Sequence, residues 1–198
     1  MISYDNKNEV SLMGCHGGFS LDESVRMTWY DSELILKNIG LTKGMVFIDM
    51  GCGDGFFSLL ASKIVGATGK VYSVDTDKSG IEKLKHKATE LGISNIYPSV
   101  GAAEEALLCK KCADIVFYSM VLHDFNDPAK VLLNAKQMLK PTGLVVNLDW
   151  KKKKMQFGPP FQIRFSEDKA SELITQAGFK IKNITQAGEH HYIITAKP

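Results

Sequence analysis

The sequence predicts an α/β protein in which a mostly parallel sheet carries helices on both faces and ends in an antiparallel β-hairpin. Three observations predict it. Apolar runs of strand length alternate with segments of helical apolar spacing along most of the chain. The first such run, Val46 to Met50, turns through Gly51, Gly53 and Gly55 directly into a helical pattern. The last two runs, 179–185 and 190–196, are joined around Gly188 by a stretch too short for a crossover but suited to a hairpin. At 198 residues, one domain with a single sizeable core is expected.

Residues 1–21 read as irregular, with Gly14-Cys15-His16-Gly17-Gly18 as a turn. Asp22 opens a helix over 22–39, whose apolar positions Val25, Trp29, Leu34, Ile35, Leu36 and Ile39 allow one buried face, and Gly40 stops it. After the first strand–turn–helix unit, Lys70 to Asp75 reads as a second strand with an acid at its carboxyl end. Asp77 or Ser79 caps a helix over 79–91. Residues 95–100 make a short third strand, and 103–108 at most a brief helix. The fourth strand, 113–118, is nearly all apolar, as a strand covered on both faces should be. Asp127 and Pro128 start a helix over 127–139. Lys140-Pro141-Thr142-Gly143 predicts a turn, and 144–150 a fifth strand. The alternation breaks over 151–165, where Lys151 to Lys154 lead to Gly158-Pro159-Pro160-Phe161; this stretch predicts a lid loop. Ser166 caps the last helix, with Glu167 and Asp168 where the macrodipole favours acids.

Composition narrows the partners. Lys and Arg number 24 against 22 Asp and Glu, a balance that argues against nucleic acid or an anionic membrane. The polar N-terminus has no signal-peptide apolar region and no run reaches the length of a membrane span, so a cytoplasmic protein is expected. Cys15, Cys52, Cys109 and Cys112 are not a secreted disulfide framework. Cys109 and Cys112 have the two-residue gap of a metal or redox pair, but a structural zinc site usually needs two such pairs, and no metal is expected.

The glycine turn points to a nucleotide. Phe56 occupies the place where a dinucleotide fingerprint needs its third glycine, and no Gly-Lys-Ser/Thr follows, so neither a dinucleotide fold nor a P-loop fits. Asp49 beside the turn would repel a pyrophosphate but suits a ligand carrying an ammonium or sulfonium charge. Asp75 is placed to accept hydrogen bonds from both hydroxyls of a ribose.

These residues resemble the class I S-adenosylmethionine-dependent methyltransferases. Asp49-Met50-Gly51-Cys52-Gly53-Asp54-Gly55 is similar to their first motif and Val71 to Asp75 to their acidic strand end. Ala113 to Phe117 resembles their fourth-strand motif, and Leu139 to Gly143 the turn before their fifth strand. The resemblance covers about residues 25–198 and implies a Rossmann-like, seven-stranded sheet with S-adenosylmethionine as cofactor. Val121 to Phe125 with Asp127-Pro128 resembles the small-molecule branch of quinone and sterol C-methyltransferases, the methyltransferase-11 type. The cofactor-binding set implied is Asp49, Gly51, Cys52, Gly53, Gly55, Phe56, Asp75, Thr76, Ala102, Ala103, Glu104 and Ser119. Phe56 is equally suited to packing under the turn. Ala102 stands where many relatives carry an adenine-binding Asp, so the adenine is left to backbone groups or to Glu104.

His123 is the expected catalytic residue, the one group suited to acid/base work near neutrality; its alternative is a pocket wall. Arg26, Trp29, Tyr30, Asp149 and Trp150 are expected to border the acceptor, with core packing as the competing role for Trp29. His190 and His191 read as lying far along the sheet with no catalytic duty. A small-molecule acceptor is the expected substrate. The alternatives are an RNA or protein acceptor, against which Ser119 to Leu122 lacks the Asn/Asp-Pro-Pro-aromatic motif of base-amino methyltransferases, and a non-catalytic binder of the cofactor.

Overall fold

The computed structural model describes residues 29–198. Arg26, the Cys15-His16 pair, the irregular 1–21 stretch and the first part of the helix expected over 22–39 lie outside the described residues. The elements are α1 (Ser32–Asn38), β1 (Val46–Met50), α2 (Phe56–Val65), β2 (Lys70–Asp75), α3 (Lys78–Glu90), β3 (Ile96–Val100) and β4 (Ala113–Ser119). A 3₁₀ turn (Leu122–Asp124) follows, then α4 (Pro128–Met138), β5 (Leu139–Trp150), α5 (Glu167–Gln176), β6 (Lys180–Ala187) and β7 (His191–Lys197).

The seven strands form one sheet in the order β3-β2-β1-β4-β5-β7-β6. β1 to β5 run parallel; β7 runs against β5, and β6 against β7. β1 lies between β2 and β4, so the chain winds outward from β1 in one direction and then returns to build the other half. Ligands of open α/β sheets bind at such a reversal, beyond the carboxyl ends of the strands. Alternation along the strands assigns the two faces. Phe47, Phe117, Val146 and Leu148 pack under α1 and α2 with Leu36, Phe57 and Ala61. Ile48, Met50, Val116 and Val145 pack under α4 and α5 with Leu132, Met138 and Ile174.

Most element boundaries follow from local chemistry. Asp77 caps α3 through Ser79 N, and Ser166 caps α5 through Lys169 N. Asp127 caps α4, accepting from Lys130 N at 2.9 Å, with Pro128 in the first turn. Asp127→Ala should cost about 1 kcal/mol of stability, read as a lower urea midpoint with unchanged slope.

Three expectations are corrected. The single helix over 22–39 is interrupted: the chain bends at Tyr30, and Asp31 starts α1 afresh by accepting from Leu34 N at 2.8 Å. The turn expected at 140–143 is instead part of β5. Ala113 pairs with Leu139 and Ile115 with Leu144, so β5 bulges by the excess residues while the ladder continues. Cys109 and Cys112 are joined in a disulfide. No helix forms over 103–108. Among the described residues no helix is long and apolar enough to cross a membrane, and no three His, Cys, Asp or Glu side chains group to hold a metal ion.

Candidate active site

The glycine turn leaves β1 at the sheet's carboxyl edge. Gly51 N and Cys52 N donate to Val74 O at 2.8 and 3.1 Å, which pins the turn to the end of β2. Gly53 N donates to Asp75 Oδ2 at 2.7 Å, and Asp77 N to Asp75 Oδ1 at 2.8 Å. A carboxylate oxygen can accept twice, so both Asp75 oxygens keep capacity for a ligand hydroxyl. Gly53 has φ +56° and nothing within 4 Å of where a Cβ would stand, so the turn presents bare backbone to open space. Gly51 differs: a Cβ there would run into the Val121 side chain, so glycine lets the loop after β4 close against the turn.

Asp49 is 1% exposed and accepts from Ser58 Oγ at 2.6 Å, while Ser73 Oγ donates to Ser58 Oγ at 2.8 Å. This hydroxyl chain fixes the carboxylate behind the turn. Burial, then the charges of Asp49 and Asp75, push the Cys52 thiol far above its usual range, so it stays protonated and unreactive. Phe56 packs edge-on against Phe57 at 5.1 Å in the core, the packing position of its two expected roles. Thr76 is exposed just past β2.

Beside Asp75, a cavity of about 250 Å³ opens between the ends of β2 and β3, with Val74, Val100, Gly101, Ala102 and Leu107 in its wall. Ala102 thus lies in the wall of this cavity. Ala103 is buried in the core. Glu104 turns away: its Oε1 accepts from Asn126 N at 3.0 Å and Asp127 N at 3.4 Å, holding the start of α4. Ser99 and Glu105 also line the cavity, beside the backbone of 101–102. A larger groove, about 550 Å³, runs between α1 and the hairpin past Leu34, Leu144 and Thr195 and does not include the glycine turn.

The loop after β4 carries the acid/base candidate. Met120 has φ +56°, a strained conformation for a non-glycine residue, and Tyr30 Oη donates to its sulfur at 3.9 Å. Ser119 Oγ is buried without a hydrogen-bond partner among the described residues. His123 Nδ1 lies 2.8 Å from Asp149 Oδ1, with both side chains buried. Asp149 accepts from Nδ1–H, which leaves Nε2 as the basic nitrogen. Burial pushes the His123 pKa down, but the charge and hydrogen bond of Asp149, with the charge of Asp124, outweigh it, so the pKa rises above its ordinary value. Asp149 Oδ1 also takes the Trp150 N–H at 2.8 Å.

On the opposite face of β5, an aromatic cluster covers the same edge. Trp29 meets Trp150 edge-on at 5.0 Å and stacks on Phe157 at 5.8 Å. His191 pairs with Trp150 across the ladder, with ring centroids 4.2 Å apart. Its imidazole is fully buried and neither nitrogen has a hydrogen-bond partner among the described residues. An unpaired buried polar group costs about 1–3 kcal/mol, a cost a packing residue would avoid. Burial first, then the charges of His190, Lys151 and Arg164, lower its pKa to about 3, so it is neutral.

The expected lid, 151–165, is an irregular segment with no helix or strand. Arg164, 2% exposed, ties it together. Its guanidinium donates to Pro159 O at 2.7 Å, Phe157 O at 2.8 Å and Lys153 O at 3.1 Å, and lies over the Trp150 ring at 5.5 Å. Lys151 and Lys153 reach back to the Glu189 carbonyl at 2.9 and 3.0 Å.

The structure thus brings Asp49, the glycines, Asp75, Ala102, Ser119, Met120, His123, Asp149, Trp29, Tyr30 and Trp150 to one edge. Phe157 and Arg164 of the expected lid lie there too, and so does His191, which the sequence reading leaves outside the site. For His191 a signal was available. β7 runs against β5, so its first residues lie at the carboxyl edge, which corrects the expectation that His190 and His191 lie far along the sheet.

The family model described as a methyltransferase domain matches residues 41–191. The chain is 31% identical over 115 residues to a demethylmenaquinone methyltransferase of Staphylococcus aureus, 58% of this chain and 47% of that protein. It is 30% identical over 148 residues to the ubiquinone/menaquinone biosynthesis C-methyltransferase UbiE of Blochmanniella pennsylvanica, 74% of this chain and 54% of that protein. The chain therefore spans about half the length of these relatives. A solved SAM dependent methyltransferase from Aquifex aeolicus matches with a TM-score of 0.83 and 28% identity, over 89% of this chain and 98% of that one. The [4+2]-cyclase SpnF matches with a TM-score of 0.73 and 15% identity over 84% of this chain and 79% of that one, a likeness of fold alone.

Proposed function

Because this chain belongs to the methyltransferase-domain family, we propose that it transfers a methyl group from S-adenosylmethionine to a small-molecule acceptor, and that the acceptor is a hydroxylated aromatic ring of the quinol kind. The observation that carries the donor half is the Gly53–Asp75 hydrogen bond beneath open space. It sets a bare glycine backbone beside a strand-end carboxylate with spare acceptor capacity. The names of the curated relatives support the acceptor half, as does the aromatic lining of Trp29, Trp150 and Phe157.

Residues that would hold the cofactor are Gly51 and Gly53 at the turn, Asp75 at the ribose, and the 101–102 backbone with Val74, Val100 and Leu107 at the adenine. When bound, S-adenosylmethionine supplies a methyl group on a sulfonium, a good electrophile. The buried Asp49 adds a negative field behind the turn that favours a cation over a pyrophosphate. His123 Nε2 takes the acceptor's proton, and Asp149 orients the ring and stabilises the imidazolium that forms. Tyr30, Trp150 and the lid exclude water from the edge. A nucleic-acid partner is not part of this reading. The compartment we propose is the cytoplasm, where the Cys109–Cys112 disulfide would face reducing thiols.

Thermal melts test the donor. S-adenosylmethionine at about 100 times its Kd should raise Tm by about 5 °C or more, and NAD by less. The reverse order would mean a different nucleotide. A labelled-methyl transfer screen with quinols and whole metabolite pools tests the acceptor.

A further inference from the structure

Building on the reading of an aromatic acceptor, we propose that His191 is an acceptor-binding and specificity-determining residue whose imidazole hydrogen-bonds an oxygen substituent of the ring to be methylated. The argument begins with β5. Asp149 and Trp150 are successive residues at its carboxyl end and face opposite sides of the sheet. Asp149 holds His123 on one side. Trp150 is paired with His191 on the other. The two histidines thus flank the end of the strand, one on each face.

The surroundings of His191 are those of a binding group. Its ring is bordered by Trp150 at 4.2 Å, Tyr30 edge-on at 5.1 Å and Trp29 at 5.3 Å. None of these gives it a hydrogen bond, and both nitrogens are sealed from solvent. A neutral imidazole offers one donor and one acceptor, which matches a hydroxyl or carbonyl oxygen. The nearby cations are already engaged. Lys151 Nζ lies on the carbonyls of Gly188 and Glu189, at 3.4 and 2.9 Å. Arg164 is committed to three lid carbonyls. Both keep their positive charge, which helps hold the imidazole in its neutral form. His191 also sits on a strand paired on both sides, so its position is fixed before ligand arrives.

Phe157 marks the way in. It belongs to the lid, is 36% exposed, and stacks nearly parallel on Trp29 with an interplanar angle of 14°. Its other ring neighbours are Trp150 at 6.1 Å and His190 at 4.9 Å, both edge-on. A flat acceptor taking the place of this ring on Trp29 would come within reach of the imidazole.

The chain has two tryptophans, Trp29 and Trp150, and the rings of both border His191. Intrinsic tryptophan fluorescence therefore reports on it directly. The probe is a short-chain naphthoquinone lacking the ring methyl, oxidised for quenching titrations with S-adenosylhomocysteine present and reduced for methyl transfer. For the wild-type protein, saturable quenching and methylation are expected. His191→Phe keeps the ring and removes the nitrogens. It should raise both the quenching Kd and KM at least about 10-fold, leave kcat within about 3-fold, spare S-adenosylhomocysteine affinity, and leave Tm unchanged or higher. His191→Asn, which keeps a donor and an acceptor, should recover part of the affinity, and it decides the matter if the Phe variant fails to fold. Wild-type KM and Kd in His191→Phe, with a lowered Tm, would make His191 a packing residue and overturn the assignment while leaving the methyltransferase reading intact. A wild-type protein that binds S-adenosylhomocysteine yet neither quenches with nor methylates the naphthoquinol would overturn the ring-acceptor reading and this assignment with it.

Discussion

Asp75→Ala is expected to weaken S-adenosylmethionine binding by about 100-fold or more in calorimetry. Two losses combine. The ribose loses a charged acceptor, and hydrogen bonds to charged groups contribute about 1.5–3 kcal/mol. The turn also loses its anchor, because Gly53 N and Asp77 N both donate to this carboxylate. Asp75→Asn separates the two, since it keeps one carbonyl acceptor and replaces the other with a donor. It should lie between wild type and alanine. Unchanged affinity in the alanine variant, with the fold intact by circular dichroism, would remove Asp75 from the site.

The second large effect concerns His123. His123→Ala should lower turnover by about 10² to 10⁴-fold while sparing cofactor affinity. The pH profile is more diagnostic. Nε2 must be neutral to take a proton, and the His123 pKa stands above its ordinary 6.5. Turnover should therefore climb as pH rises through a value above 6.5, and Asp149→Asn should shift that limb toward acid. The stability linkage has the opposite sign. With the folded pKa raised, the charged pair's contribution is fully present below about 6.5 and is lost as pH rises through the folded pKa. The protein is thus expected to gain activity across the interval in which this contribution to stability fades. His191, with its pKa near 3, takes no part in that limb. A profile flat from pH 6 to 9 would reduce His123 to a pocket wall.

The sequence was readable wherever a residue's role depends on its near neighbours. The β1 run, the three glycines and Asp75 are local features, and the structure brings them together at the carboxyl edge of the sheet. So were the caps at Asp77, Asp127 and Ser166. What escaped depended on distant partners. Glu104 was a reasonable adenine ligand until α4 folded back and offered it two backbone N–H groups. The Lys140 to Gly143 turn became part of a ladder because β4 stood beside it to pair with. Asp31 outcompeted helix continuation only by bonding Leu34 N, a choice that apolar spacing does not record. Arg164 read as one cation in a loop, and only the folded segment shows three carbonyls converging on it.

That convergence has a thermodynamic consequence. An unrestrained loop that orders over a ligand loses about 1–2 kcal/mol of backbone conformational entropy per residue at the moment of binding. Here much of the loss has already occurred on folding, because one guanidinium fixes carbonyls from Lys153 to Pro159 before any acceptor arrives. A ligand that meets this segment is spared most of that ordering penalty.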